Sequence, residues 1–144
     1  MKFKTKLAIG ILAALLAVPT LQAVDFKKDV EPIIKESCVK CHIPRIYKGR
    51  KKKPGGGLRL DTAENMMKGN GDGEKSIIPG NAEKSSFYKL TTLGEDHDDI
   101  MPSKGDTLTK AQQETLKKWI NDGAKFGDWK GFDKETLKKF GYTE

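Results

Sequence analysis

Apolar residues recur at helical spacing near both ends of the chain. Phe26, Val30, Ile33 and Ile34 fall at intervals of four, three and one, the stripe of an amphipathic helix. Asp25 precedes the stripe as a capping residue, and acidic side chains in the first turn suit a helix N-terminus. Pro32 either begins a second helix at its first turn or kinks a longer one. Towards the other end, Leu116, Trp119, Ile120 and Ala124 share one face, with lysines opposite. They predict the clearest helix of the chain, Lys110–Asn121. Thr109, with Gln112 three residues on, is a capping box that starts it, and Gly123 is placed to end it.

The segments between are less regular. Asp61 or Thr62 is placed to cap a short helix over residues 62–68. Residues 69–73, Gly-Asn-Gly-Asp-Gly, predict a turn-rich loop whose spacing does not fit an EF-hand. Ile77 and Ile78 are extended, Pro79-Gly80 turns the chain, and Asn81 or Ser85 caps a helix through Phe87, Leu90 and Leu93. Residues 43–57 and 96–105 show no periodicity and predict loops. In the tail, residues 133–140 predict a short helix, and Trp129, Phe132, Leu137 and Phe140 are expected to pack on the domain. With no internal repeat and no convincing strand pair, the chain predicts an all-α fold with long loops.

The first residues change the boundaries. Lys2, Lys4 and Lys6 precede an apolar run over residues 7–18, Pro19 breaks it, and Ala23 ends a cleavage site. Residues 1–23 predict an export signal, too short for an ordinary membrane span. A periplasmic protein without stable membrane insertion is expected. The remaining 121 residues fit one domain. Three of the charges behind the net +7 are leader lysines, which leaves +4. Such a mildly basic exported chain, with no aromatic-interleaved basic face, does not predict nucleic-acid binding.

Candidate chemistry centres on Cys38-Val39-Lys40-Cys41-His42. Two thiols three residues apart, followed at once by an imidazole, are the attachment pattern of a covalent haem. On one helical turn and its exit, the thiols reach two vinyl groups of one porphyrin edge, and His42 ligates the iron from one face. The alternatives are a disulfide, half of a zinc site, or a redox pair. Zinc wants further ligands, and His97 is the one remaining donor of the usual kind. A redox pair is expected near a βαβ pattern, which is missing. For the second iron face the residues leave Met101 and His97 as rivals. A thioether favours ferrous iron and raises the potential, whereas a second imidazole would lower it. Met66 and Met67 sit in a helical setting that favours core packing. Arg45, Tyr47 and Arg59 are candidate donors to the haem propionates. Lys48, Arg50, Lys51, Lys52 and Lys53 form a basic run, either a solvated loop or a docking patch for an acidic redox partner.

Several motifs in order resemble one family. They are Phe26-x-x-Asp29-Val30-x-Pro32-Ile33, Cys38-x-x-Cys41-His42, Gly57-Leu58-Arg59-Leu60-Asp61, Ile78-Pro79-Gly80-Asn81, Met101-Pro102 and Leu116-x-x-Trp119-Ile120-x-x-Gly123-Ala124. The pattern over about residues 25–126 is similar to the planctomycete-type cytochrome c domain, a branch of the class I c-type cytochromes. The resemblance implies a small helical fold wrapping one haem c, with first and last helices crossing near one haem edge. It also implies His42 as proximal and Met101 as distal ligand. Three departures stand out: Ser103 where a second proline is common, the basic insert over residues 43–53, and the expectation of a domain standing nearly alone with a short tail.

The leading expectation is a periplasmic monohaem electron carrier, not an enzyme. It has a leader over residues 1–23, a cytochrome domain over 24–126 and a tail over 127–144. Two other readings remain open. One is a peroxidase-like enzyme or sensor with an open distal site, using His97 with Asp96, Asp98 or Asp99. The other is a haem module docking to one dehydrogenase through the basic run.

Overall fold

In the computed structural model, residues 23–143 are described, so the expected leader lies outside them but for Ala23. A π-helical turn, Phe26–Val30, runs into helix α1, Glu31–Ser37. Asp25 caps the turn by accepting from the Lys28 amide at 2.9 Å. Pro32 lies in the first turn of α1, where its missing N–H costs no helical bond. The helices that follow are α2, Ala63–Lys68; α3, Ser86–Lys89; α4, Lys110–Asn121; and α5, Lys134–Lys139. Short 3₁₀ turns occupy Gly55–Gly57, Ala82–Lys84 and Leu90–Thr92.

Local sequence explains most of these boundaries. Thr62 caps α2 through the Asn65 amide at 3.1 Å. Both halves of the Thr109–Gln112 capping box form at the start of α4. Asn81 caps the 3₁₀ turn that follows it, accepting from the Lys84 amide at 3.0 Å. Ser85 does not cap α3; it is fully buried and ties the Ile78 amide to the Asn81 carbonyl, at 2.8 Å each. The helix expected through Leu93 is therefore one α turn continued by a 3₁₀ turn.

The expectation of an all-α fold is corrected by residues 43–57. There an antiparallel hairpin forms from β1, Arg45–Tyr47, and β2, Arg50–Lys52, with Ile46 opposite Lys51. Five α-helices and this hairpin make the described fold mixed. Its two-residue turn places Lys48 and Gly49 both at positive φ, 50° and 73°, the conformation that matches strand twist in tight hairpins. Neither strand buries an apolar face, so no alternation marks it. Its other supports come from far along the chain. The Ile46 amide donates to the Gly141 carbonyl at 2.8 Å, and the Thr143 amide to the Pro44 carbonyl at 3.1 Å.

Among the described residues, one core joins the first helical segment to the C-terminal one. Phe26 stacks at tilted angles on Trp119, Phe126 and Trp129, with centroids 5.3, 4.8 and 4.7 Å away. Trp129, Phe132 and Leu137 are buried in the same cluster as Val30, Ile34, Leu116 and Ile120. Residues 127–143 are tied down by backbone as well, since the Phe132 amide donates to the Asp61 carbonyl at 2.9 Å. No helix among the described residues is long and apolar enough to cross a membrane.

Candidate functional site

Helix α1 ends at Cys38, whose amide donates to Ile34 at 2.9 Å, and the chain then coils tightly. The His42 amide reaches back to the carbonyls of Cys38 at 3.2 Å and Val39 at 3.1 Å. Val39 and Ile43 are fully buried and anchor this coil from within. Cys38, Cys41 and His42 are left half-buried on its other side, and neither thiol is in a disulfide.

These three side chains line a cavity of about 370 Å³, a volume within the usual range for ligand pockets. Its apolar walls include Leu58, Leu60, Phe87, Leu90 and Leu116. Met101 lines the same cavity, from the loop that follows the 3₁₀ turn. Its amide donates to the Leu90 carbonyl at 2.9 Å, fastening that loop to the wall.

His42 is held from behind. Its Nδ1 lies 3.3 Å from the Leu58 carbonyl, an acceptor only, so Nδ1 carries the proton and Nε2 keeps its lone pair. Burial lowers the imidazole pKa, outweighing the bonds to Leu58 and Gly55 that raise it. A neutral ring is what an iron ligand requires. Gly55 packs against the ring, for a Cβ there would stand 3.3 Å from His42 Cε1. Burial, and secondarily Cys41, pushes the Cys38 thiol up to about 12, so it is protonated at neutral pH.

Other expected residues lie elsewhere. His97 is exposed and not part of the cavity lining; its Nδ1 accepts from the Asp99 amide at 3.0 Å. Arg59 forms an ion pair with the buried carboxylate of Asp61 and donates to the Tyr142 hydroxyl at 3.3 Å. Arg45 donates to the Cys41 carbonyl at 3.1 Å, and Tyr47 is exposed on the hairpin. None of the three lines the cavity. Met66 is fully buried in the core. Sequence reasoning missed the part played by Gly55 and the Leu58 carbonyl. The Gly-Leu-Arg-Leu-Asp run was the available signal, and it lies alongside the attachment coil, with the Leu60 amide bonded to the His42 carbonyl at 2.9 Å.

Two thiols, one imidazole with a free Nε2 and one thioether, all on a cavity with apolar walls, form a donor set that fits haem c. Such a set is the one with which c-type cytochromes hold their haem. Residues 38–105 match the family model described as Planctomycete cytochrome C, the family that the motifs resemble. That stretch carries four of the six motifs, and the family implies haem c. No curated protein and no solved structure matches the chain.

Proposed function

We propose that this chain is a periplasmic monohaem c-type cytochrome that carries single electrons between partner proteins. The observation that carries this reading is the convergence of Cys38, Cys41, His42 and Met101 on one cavity, with His97 exposed outside it. Cys38 and Cys41 would anchor the haem through thioethers, and His42 Nε2 and the Met101 sulfur would hold its iron. Bound haem c supplies the ferrous–ferric couple. The chain's part is to hold both ligands, shed water from the apolar walls, and keep the site rigid. Leu58 and Gly55 fix the imidazole plane, as outer-shell partners of metal-bound histidines do. Residues 24–126 make up the cytochrome domain, with residues 127–144 as its C-terminal segment. The partner is an acidic redox protein that docks near Lys48, Arg50, Lys51, Lys52 and Lys53.

The test is the absorption spectrum of ferric protein from a host that matures c-type cytochromes. A thioether–iron charge-transfer band at the red end is expected. It should vanish in Met101→Ala and persist in His97→Ala. High-spin iron that binds peroxide or cyanide quickly would overturn the carrier in favour of a peroxidase-like enzyme or sensor. Loss of the band in His97→Ala alone would overturn the ligand assignment.

A further inference from the structure

The hairpin and the end of the C-terminal segment meet in an arrangement that the electron-carrier reading does not itself require. Between Ile43 and Leu60 there is no acidic residue, while Arg45, Lys48, Arg50, Lys51, Lys52, Lys53 and Arg59 are all basic. Residues 48–53 are exposed, and among the described residues none of their side chains forms a salt bridge. Lysines on a sheet edge are a usual guard against stray pairing. That purpose does not account for Ile46 and Tyr47, which are 40% and 53% exposed in the middle of the charge.

The arm is also fastened. The Ile46 amide bonds to Gly141, Arg45 pairs with Tyr142 as an isolated bridge, and the Thr143 amide bonds to Pro44. Gly141 has a φ of 76°, and a Cβ there would sit 2.7 Å from the Ile46 carbonyl oxygen, so the contact demands glycine. At its base, the Arg45 guanidinium holds the Cys41 carbonyl at 3.1 Å. A protein seated on the arm therefore sits beside the attachment coil.

We infer that residues 45–53 and 141–143 form one preformed docking arm for an acidic protein surface. In it Ile46 and Tyr47 supply the apolar centre and the lysines supply the surrounding charge. The C-terminal segment acts as a clamp that presents the arm rigidly, lowering the ordering cost of association. Cations that form no salt bridge among the described residues, set around an exposed aromatic with Lys48 Nζ 5.5 Å from the Tyr47 ring, match the composition of protein interfaces, where charge sets approach and Tyr anchors the contact. An anionic membrane would attract the same lysines but has no use for a fixed position next to the attachment coil. The inference rests on the electron-carrier reading for the kind of partner.

The test measures binding of holoprotein to an acidic flavodoxin at low ionic strength, and separately to vesicles of phosphatidylcholine with phosphatidylserine. Lys51→Glu/Lys52→Glu is expected to weaken flavodoxin binding about tenfold, and Tyr47→Ala about threefold. Added salt at about 0.5 M should abolish the difference for the charge variant. Gly141→Val should weaken binding as Tyr47→Ala does, with an unchanged absorption spectrum. A Thr143 deletion provides the same test if the valine variant fails to fold. Equal flavodoxin affinity for wild type and Lys51→Glu/Lys52→Glu overturns the inference, as does vesicle binding that exceeds flavodoxin binding. Because binding is read by calorimetry, a failure of the His42–Met101 assignment shows in the spectrum and leaves this result separately readable.

Discussion

The Nδ1 of His42 lies 3.3 Å from the carbonyl oxygen of Leu58, and this bond sets which ring nitrogen faces the cavity. The two residues are sixteen positions apart, and the glycine-rich turn Gly55–Gly57 between them brings the carbonyl into place. Gly55→Ala tests that packing, since its Cβ would crowd His42 Cε1 at 3.3 Å. The expected loss is about 1 kcal/mol in denaturant unfolding, with a small shift of the ferric spectrum as the ring turns. An unchanged spectrum would mean that Gly55 does not position the ring.

Arg59 and Asp61 make a second fork. Asp61 is 2% exposed and accepts from Arg59 Nε at 3.1 Å and Asn65 Nδ2 at 3.0 Å. Removing Arg59, itself about a third exposed, leaves the buried carboxylate with Asn65 but without its cation, so Arg59→Ala is expected to cost about 2 kcal/mol. Adding Asp61→Ala to it should recover part of that loss. If Arg59 served a propionate alone, the double variant would be no more stable than the single one; equilibrium unfolding distinguishes the two.

Trp129 belongs to the C-terminal segment yet packs 4.7 Å from Phe26 and 5.9 Å from Phe126. Trp129→Ala should destabilise the whole protein by about 3 kcal/mol. Unfolding should stay a single transition when followed by both fluorescence and far-ultraviolet dichroism. Separate transitions would show that residues 127–143 fold apart from the rest.

Asp133 caps α5, accepting from the Thr136 amide at 2.8 Å and hydroxyl at 2.7 Å. Those bonds hold its carboxyl below the usual aspartate range. A folded-state pKa below the unfolded one gives stability that is present above the unfolded value and lost as pH falls through the folded one. The stability difference between wild type and Asp133→Ala should therefore be constant from neutral pH to about 5 and shrink below about 4. A difference that grows on acidification would contradict the cap.

What could be read in advance follows the range of the interactions. Helix α4 was legible because its apolar face and its capping box both lie within a few residues, and the structure shows Lys110–Asn121 as expected. The first helix was legible in its stripe, but whether Pro32 starts or kinks a helix depended on the π-helical turn before it. The hairpin was not legible. Its strands bury nothing of their own, and the bonds that fasten Ile46 and Pro44 come from Gly141 and Thr143. Arg59 also read differently, because its partner Asp61 is buried in a part of the fold where residues 130 and 132 bond to the backbone of Ala63 and Asp61.

By itself the sequence determined the chemistry on offer: two thiols and an imidazole at the spacing of a single coil, with a thioether and a second imidazole farther on. Spacing along a backbone is enough for that, since Cys38, Cys41 and His42 share one turn. Only the tertiary structure decided which distant group shares their cavity. Met101 lines it because its amide is tied to the Leu90 carbonyl, while His97, four residues earlier, stays on an exposed turn. Four residues of loop can face either way, and the contact that decides between them is made by a wall the local pattern does not contain.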